Sequence, residues 1–218
     1  MKKLLILSTL CAIVFLSCNR APQKPAADKF PGLLERAKTT FSPLEEVADN
    51  PDNPITPEKV VLGQTLYFDK RLSKDETVSC NSCHNLQTYG VDNESTSDGV
   101  GGQKGGRNSP TVLNAAYHFS QFWDGRAKYV EEQAGGPILN PIEMAMPDQE
   151  AVIKRLQGIK GYQEMFAAAF PGEDQPVNYI NLQKAIGAFE RKLITPSRFD
   201  EYLMGYNEAL SDEEKKGL

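Results

Sequence analysis

Apolar residues recur at helical spacing through the second half of the chain. From Tyr179 to Leu193, Leu182, Ala185, Ile186, Phe189 and Leu193 fall three and four apart, marking one face of a helix that Pro196 should end. A helix is expected from about Asp148 to Gln157, with Val152, Ile153 and Leu156 inward. Another should span about Tyr162 to Phe170, stopped by Pro171-Gly172. Upstream, Thr56-Pro57-Glu58 has the order of an N-cap, a first-turn proline and an acidic first turn, and Val60, Val61, Gly63, Leu66 and Tyr67 continue it as a helical stripe. No run alternates with a period of two and no segment repeats, so the pattern predicts an all-α domain with long loops.

The amino terminus breaks this pattern. Met1 to Ser17 opens with Lys2 and Lys3, continues as the apolar run Leu4 to Leu16 and ends in small residues, the layout of a secretory signal. It is too short and too soon interrupted to read as a membrane span. Phe15-Leu16-Ser17-Cys18 resembles a bacterial lipobox, in which Cys18 would be lipidated; the alternative is an ordinary cleaved signal that leaves Cys18 idle. Residues 18–29, with Pro22, Pro25 and three alanines after Cys18, have no apolar period and read as a flexible tether. The folded domain is expected over 30–210, in the periplasm, either free or held there by a lipid anchor.

The 218 residues, 40% of them apolar, allow one or two domains with a packed core. Seventeen glycines and fourteen prolines fall short of low complexity, which excludes a disordered or collagen-like chain. The formal charge of -5 becomes -7 once Lys2 and Lys3 are removed with the signal. Nucleic acid is therefore excluded as a partner, since its phosphates require a basic face. The acidity selects no other partner.

Four cysteines in an exported chain would ordinarily suggest disulfides, but Cys11 lies within the signal and Cys18 at its end. Cys80 and Cys83 remain, in Cys80-Asn81-Ser82-Cys83-His84. This is the C-x-x-C-H attachment signature of c-type haem: two thiols bond the vinyl groups of one porphyrin, and His84 ligates the iron. A thioredoxin-like pair would need a strand-to-helix context, whereas Asp75 to Val78 is a polar lead-in. Zinc would need two further ligands, and the one other histidine is His118. The domain is thus expected to be a c-type cytochrome-like helical fold around covalently bound haem c.

Between Gly90 and Pro110 lies a loop rich in glycine and polar residues. It is no phosphate-binding loop, because no Lys-Ser or Lys-Thr pair follows its glycines and no strand precedes it. A loop this long beside a haem motif points to function.

From the haem motif onward the chain resembles the bacterial di-haem cytochrome c peroxidases over about residues 40–218. Asn108-Ser109-Pro110-Thr111-Val112-Leu113-Asn114, Gln121-Phe122-Trp123-Asp124-Gly125-Arg126-Ala127, Gln133-Ala134-Gly135-Gly136-Pro137 and Glu143-Met144 carry the likeness. It implies hydrogen peroxide as substrate and a cytochrome c or a copper protein as electron donor. Glu143 would be the acid-base group that moves a proton between the peroxide oxygens, a role that a carboxylate beside Ile142 and Met144 suits if burial raises its pKa. Gln133 matches a distal hydrogen-bonding glutamine, Trp123 an electron conduit between two haems, and Asn108 a calcium ligand whose partners come from a second domain. Taken alone, Glu143 would be a surface glutamate, Gln133 a solvated helix-end residue and Trp123 a core aromatic. Arg107 and Arg126 would pair either with haem propionates or with surface carboxylates.

Two departures from the family pattern stand out. Many members hold the peroxidatic haem inactive with a distal histidine in the glycine-rich loop; that position falls on Val100, so the haem is expected to be open to peroxide without reductive activation. His118 is the one candidate rescue ligand. Second, Ser211 to Leu218, with Ser211 and Glu214 as a capping box, reads as the helix start that leads into a second haem domain, and the chain ends there. A homodimer is left open. The alternative functions are a c-type electron carrier with Met144 or Met146 as axial ligand, an enzyme oxidising a protein substrate in quinone-cofactor maturation, and a haem-binding remnant of low activity.

Overall fold

A computed structural model describes residues 29–218; the expected signal, Cys18 and all of the tether but Lys29 lie outside the described residues. Among those described there are nine α-helices and no strand. They are α1 Leu33–Lys38, α2 Pro57–Phe68, α3 Cys80–Cys83, α4 Val130–Leu139, α5 Gln149–Gln157, α6 Lys160–Ala169, α7 Tyr179–Glu190, α8 Arg198–Leu203 and α9 Asp212–Gly217. Extended backbone pairs only as isolated bridges, Asp98 with Lys104 and Gln121 with Ala127. Among the described residues no helix is long and apolar enough to cross a membrane.

The four expected helices form, with ends set by local chemistry. Thr56 caps α2 by accepting the Lys59 N–H at 3.2 Å, with Pro57 in the first turn, where its missing N–H leaves nothing unpaired. Asp148 and Asn178 cap α5 and α7 in the same way, each at 2.8 Å. α7 stops at Glu190, three residues short of Leu193, because the chain tightens into i,i+3 bonds from Lys192 to Phe189 and from Leu193 to Glu190. α6 begins two residues earlier than the apolar pattern suggested. The buried face of α2 is Leu62, Gly63, Leu66 and Tyr67, whereas Val61, expected in the stripe, is one position round the helix and exposed.

α4 was not visible in the pattern. Gly135, Gly136 and Pro137 all disfavour helix, and Pro137 removes the hydrogen bond that the Gln133 carbonyl would otherwise accept. Packing supplies what propensity lacks: Val130, Ala134 and Ile138 are buried, and α4 lies against α7.

α7 is the spine of the core. α2 crosses it at Gly63, where an added Cβ would lie 1.9 Å from the Ala185 carbonyl oxygen, so only glycine permits the approach. α4 is tied to it by a buried bidentate pair in which Arg191 Nε and Nη2 reach Glu131 at 2.7 and 2.9 Å. Asn50 and Asn53 donate to the same carboxylate, and Arg191 reaches the Ala48 carbonyl, which fastens the 48–53 segment. A smaller cluster joins α1 to α8 through Ala37, Tyr202 and Leu203. α9 carries the Ser211–Glu214 capping box and packs on this cluster, with Arg198 paired to Glu214 at 2.8 Å and Lys215 over the Tyr202 ring.

Gly63→Ala tests the crossing. Alanine gains about 1 kcal/mol of helix propensity, but overpacking against a backbone oxygen outweighs it, for a net loss of about 2 kcal/mol. The thermal midpoint should fall by about 5 °C. Gly161→Ala, where nothing lies within 4 Å, should not lower it.

Candidate functional site

The haem motif forms α3 and its C-cap. The Ser82 hydroxyl accepts the Ser79 N–H at 3.0 Å, closing the start of this four-residue helix, and the His84 N–H returns to the Cys80 carbonyl at 2.9 Å. His84 Nδ1 lies 3.0 Å from the Pro110 carbonyl oxygen. A carbonyl can only accept, so Nδ1 carries the proton and Nε2 keeps the lone pair that binds a metal. Burial pushes the ring's pKa down, which keeps it neutral and available as a ligand.

A cavity of about 390 Å³ opens beside the motif. α3 lines it with Cys80 and Cys83, α4 with Val130, Gln133, Ala134 and Pro137, and the turn after α4 with Glu143 and Met144. Both thiols are free, and burial pushes Cys80 up to about 12, with Cys83 raised for the same reason. A redox pair needs a ready thiolate, and burial of both thiols opposes one. Among the described residues no group of three His, Cys, Asp or Glu could hold a metal ion. A mostly apolar slot with two neutral thiols and one oriented imidazole fits a covalently attached haem.

Glu143 enters from a tight turn. The Glu143 N–H donates to the Asn140 carbonyl, as does the Ala145 N–H, and Ala145 takes a positive φ of 56° to complete the reversal. The glycine-rich loop braces this turn: a Cβ on Gly99 would lie 1.7 Å from the Ile142 carbonyl oxygen, and the Val100 N–H donates to the Glu143 carbonyl at 2.8 Å. One Glu143 carboxylate oxygen accepts from Asn140 Nδ2 at 3.1 Å; the other has no protein hydrogen bond. Burial raises its pKa, with Arg126 opposing. Gln133 lines the same cavity, and its side-chain amide makes no hydrogen bond within the protein.

The remaining expected site residues gather at the cavity mouth. Trp123 is no core aromatic: it is 64% exposed, and its indole N–H donates to the Asn108 carbonyl at 2.8 Å. Asn108 is exposed, with its amide donating to the Glu94 carbonyl. Arg107 and Arg126 both bond Asp124 at 2.8 Å, and these hydrogen bonds hold its carboxyl down at about 2. Both arginines line the cavity as well. Val100 is buried in the core, His118 is exposed and not among the lining residues, and Met146 is buried outside the cavity that Met144 lines.

The sequence pattern of the family described as di-haem cytochrome c peroxidase matches residues 57–208. The chain belongs to the di-haem cytochrome c peroxidase family. It is 47% identical over 188 residues to a cytochrome c551 peroxidase of Pseudomonas aeruginosa, covering 85% of this chain and 54% of that one. It is 46% identical over 165 residues to the cytochrome c peroxidase Ccp of Escherichia coli, covering 75% and 35%. A solved structure of a MauG-like protein associated with microbial copper homeostasis superposes with a TM-score of 0.71 at 33% identity, covering 80% of this chain and 51% of that one. The chain thus spans about half the length, or less, of the relatives it matches.

One lining residue escaped the sequence reading. Glu190 is 6% exposed, lines the cavity and makes no side-chain hydrogen bond. Burial pushes its pKa up to about 8, helped by the charge of Glu131 and opposed by Arg191. The signal was available: Glu190 stands four residues after Ile186, an acid on the apolar face of its helix. Its sign on stability is fixed by linkage. A carboxyl that is harder to ionise when folded destabilises the fold as pH rises from its ordinary 4.5 to about 8. Thermal midpoints of the haem-loaded protein should decline across that window, and Glu190→Gln should flatten the decline.

Proposed function

We propose that this chain forms the peroxidatic haem domain of a cytochrome c peroxidase, reducing hydrogen peroxide to two waters with two protons and two electrons. The observation that supports this best is that His84 and Glu143 line one cavity, with one Glu143 oxygen free of protein partners. Haem c, held by Cys80, Cys83 and His84, supplies the iron that binds and reduces peroxide. Glu143 takes a proton from one peroxide oxygen and returns it to the other, which leaves as water. Gln133 offers its free amide to hold the peroxide in register, and Arg107 and Arg126 offer the cationic mouth that suits haem propionates. Trp123, exposed at that mouth, is suited to relay electrons from a small redox protein, a cytochrome c or a copper protein, in the periplasm.

The loop geometry supports a distal face that is open at rest. Val100 stands where a distal histidine would be needed, its side chain packs in the core, and its N–H is committed to the Glu143 turn. The oxidised, haem-loaded protein should therefore show a high-spin spectrum at this haem; a low-spin bis-histidine spectrum would count against the reading.

Glu143→Gln keeps the size of the side chain and removes its ability to accept a proton. Peroxide consumption by the reduced, haem-loaded protein should fall by about a hundredfold or more. Unchanged rates would sink the role given to Glu143. Oxidation of a protein substrate in place of reduced cytochrome c would favour the MauG-like chemistry, and a six-coordinate His-Met spectrum without peroxide turnover would favour an electron carrier. Because burial raises the pKa of Glu143, the acid limb of the rate profile should lie above the ordinary glutamate value of 4.5.

A further inference from the structure

Tyr67 takes no part in the chemistry above, yet it touches the haem-binding histidine. Its side chain is fully buried in α2, edge-on to Phe68 and Phe189 with ring centroids 5.3 and 5.2 Å away. Its hydroxyl donates 2.5 Å to the backbone carbonyl of His84. Burial, with the carboxyl of Glu190 adding to it, lifts the phenol far above its usual range, so the hydroxyl remains a donor.

The reason His84 needs such a partner is local. α3 has four residues, and His84 leaves it with φ -122° and ψ 61°, so no further helical turn exists to pair its carbonyl. Two groups from outside the motif hold the residue instead. The Pro110 carbonyl takes the ring at Nδ1, and Tyr67 takes the peptide. A bond to the ring limits its rotation but leaves the backbone free to shift. The bond to the peptide carbonyl restrains that backbone, and it comes from a helix locked on α7 at Gly63, one turn before Tyr67.

We propose that Tyr67 is a positioning residue for the proximal ligand: by holding the His84 peptide, it sets the height and tilt at which the imidazole meets the haem iron. The inference rests on His84 as the iron ligand and not on the peroxidase reading. Tyr67→Phe keeps the ring packing and removes only the hydroxyl, leaving the His84 carbonyl unpaired.

The test uses the full haem-loaded chain as wild type, Tyr67→Phe and Tyr162→Phe. Tyr162 is a buried phenol whose hydroxyl bonds Asp69, away from the cavity. Reduction potential, the iron–histidine stretching frequency of the reduced form by resonance Raman, thermal midpoint, and kcat and KM for peroxide are measured for each. Both variants should lose stability, whereas only Tyr67→Phe should shift the potential and the stretching frequency. Its kcat should fall about three- to tenfold with KM for peroxide nearly unchanged, the effect of losing one buried hydrogen bond at the reacting centre. A Tyr67→Phe protein that loses stability but keeps the wild-type potential, stretching frequency and kcat would overturn the proposal. If that variant fails to fold, a fluorotyrosine placed at position 67 decides: a stronger donor should move the frequency in the direction opposite to that expected on losing the hydroxyl, and no movement would refute it. Normal peroxide turnover with no iron–histidine stretch in the wild type would refute the ligand assignment on which the inference rests, and the inference with it.

Discussion

Both walls of the cavity are hung on α7. α2 reaches it at Gly63, where the absence of a side chain lets two backbones come closer than any other residue would allow. α4 reaches it through the buried Glu131–Arg191 pair, whose two parallel hydrogen bonds fix orientation as well as distance. The two attachments act at the same scaffold on different groups. α2 carries Tyr67 and, through it, the position of His84; α4 carries Gln133 and delivers the chain to Glu143. The separation between the His84 side and the Glu143 side is therefore a property of helix packing, and a shift of α7 would change both at once. A buried ion pair is weak support for stability in its own right, because desolvation offsets the attraction. Its use here is geometric.

The Glu143 side has a second constraint, in the turn that follows α4. Asn140 organises it by accepting two backbone N–H groups on its carbonyl and donating its amide to the Glu143 carboxylate. Ala145 sits at a positive φ, an arrangement that costs a residue with a Cβ about 1 kcal/mol and persists because surrounding bonds determine it. Those bonds include the Val100 N–H to the Glu143 carbonyl and the Lys74 N–H to the Met144 carbonyl. The glycine-rich loop is thus a brace, at Gly99 and Val100, for the turn that carries Glu143. At Gly99 the missing side chain serves close packing, which gives physical content to the function expected of this loop.

Much of this was legible beforehand, and the exceptions share a cause. Helices with a regular apolar period and a capping side chain, such as α2, α5 and α7, were readable because local chemistry and burial agree there. α4 was hidden because Gly135, Gly136 and Pro137 oppose helix locally and the stabilising contacts come from α7, more than forty residues away. Trp123 was read in isolation as a core aromatic, since nothing in its neighbours reveals that the indole lies at a cavity mouth over Asn108. Arg107 and Arg126 left two readings open, and Asp124, between them in sequence and in space, is a shared partner that leaves both arginines in the cavity lining. Glu190 and Tyr67 were readable as positions on helical faces but not as parts of a site. Their roles depend on which loop, Cys80 to His84, the fold lays across them.

The cavity holds two carboxyl groups in contrasting surroundings. Glu190 is enclosed, has no hydrogen-bond partner and is pushed up to about 8, so it is mostly neutral at pH 7. Glu143 is half-buried, shares a hydrogen bond with Asn140 and feels the charge of Arg126, so its rise is held in check. A group that must give up and regain a proton within one turnover needs a pKa that burial has raised without locking the proton in place, together with an oxygen left free for the substrate. Glu143 meets both conditions. Glu190 meets only the second: its oxygens have no hydrogen-bond partner, but enclosure holds its proton in place. The same chemical group thus lines one cavity in two different surroundings, and the difference in how tightly each holds its proton lies in what the fold places around it.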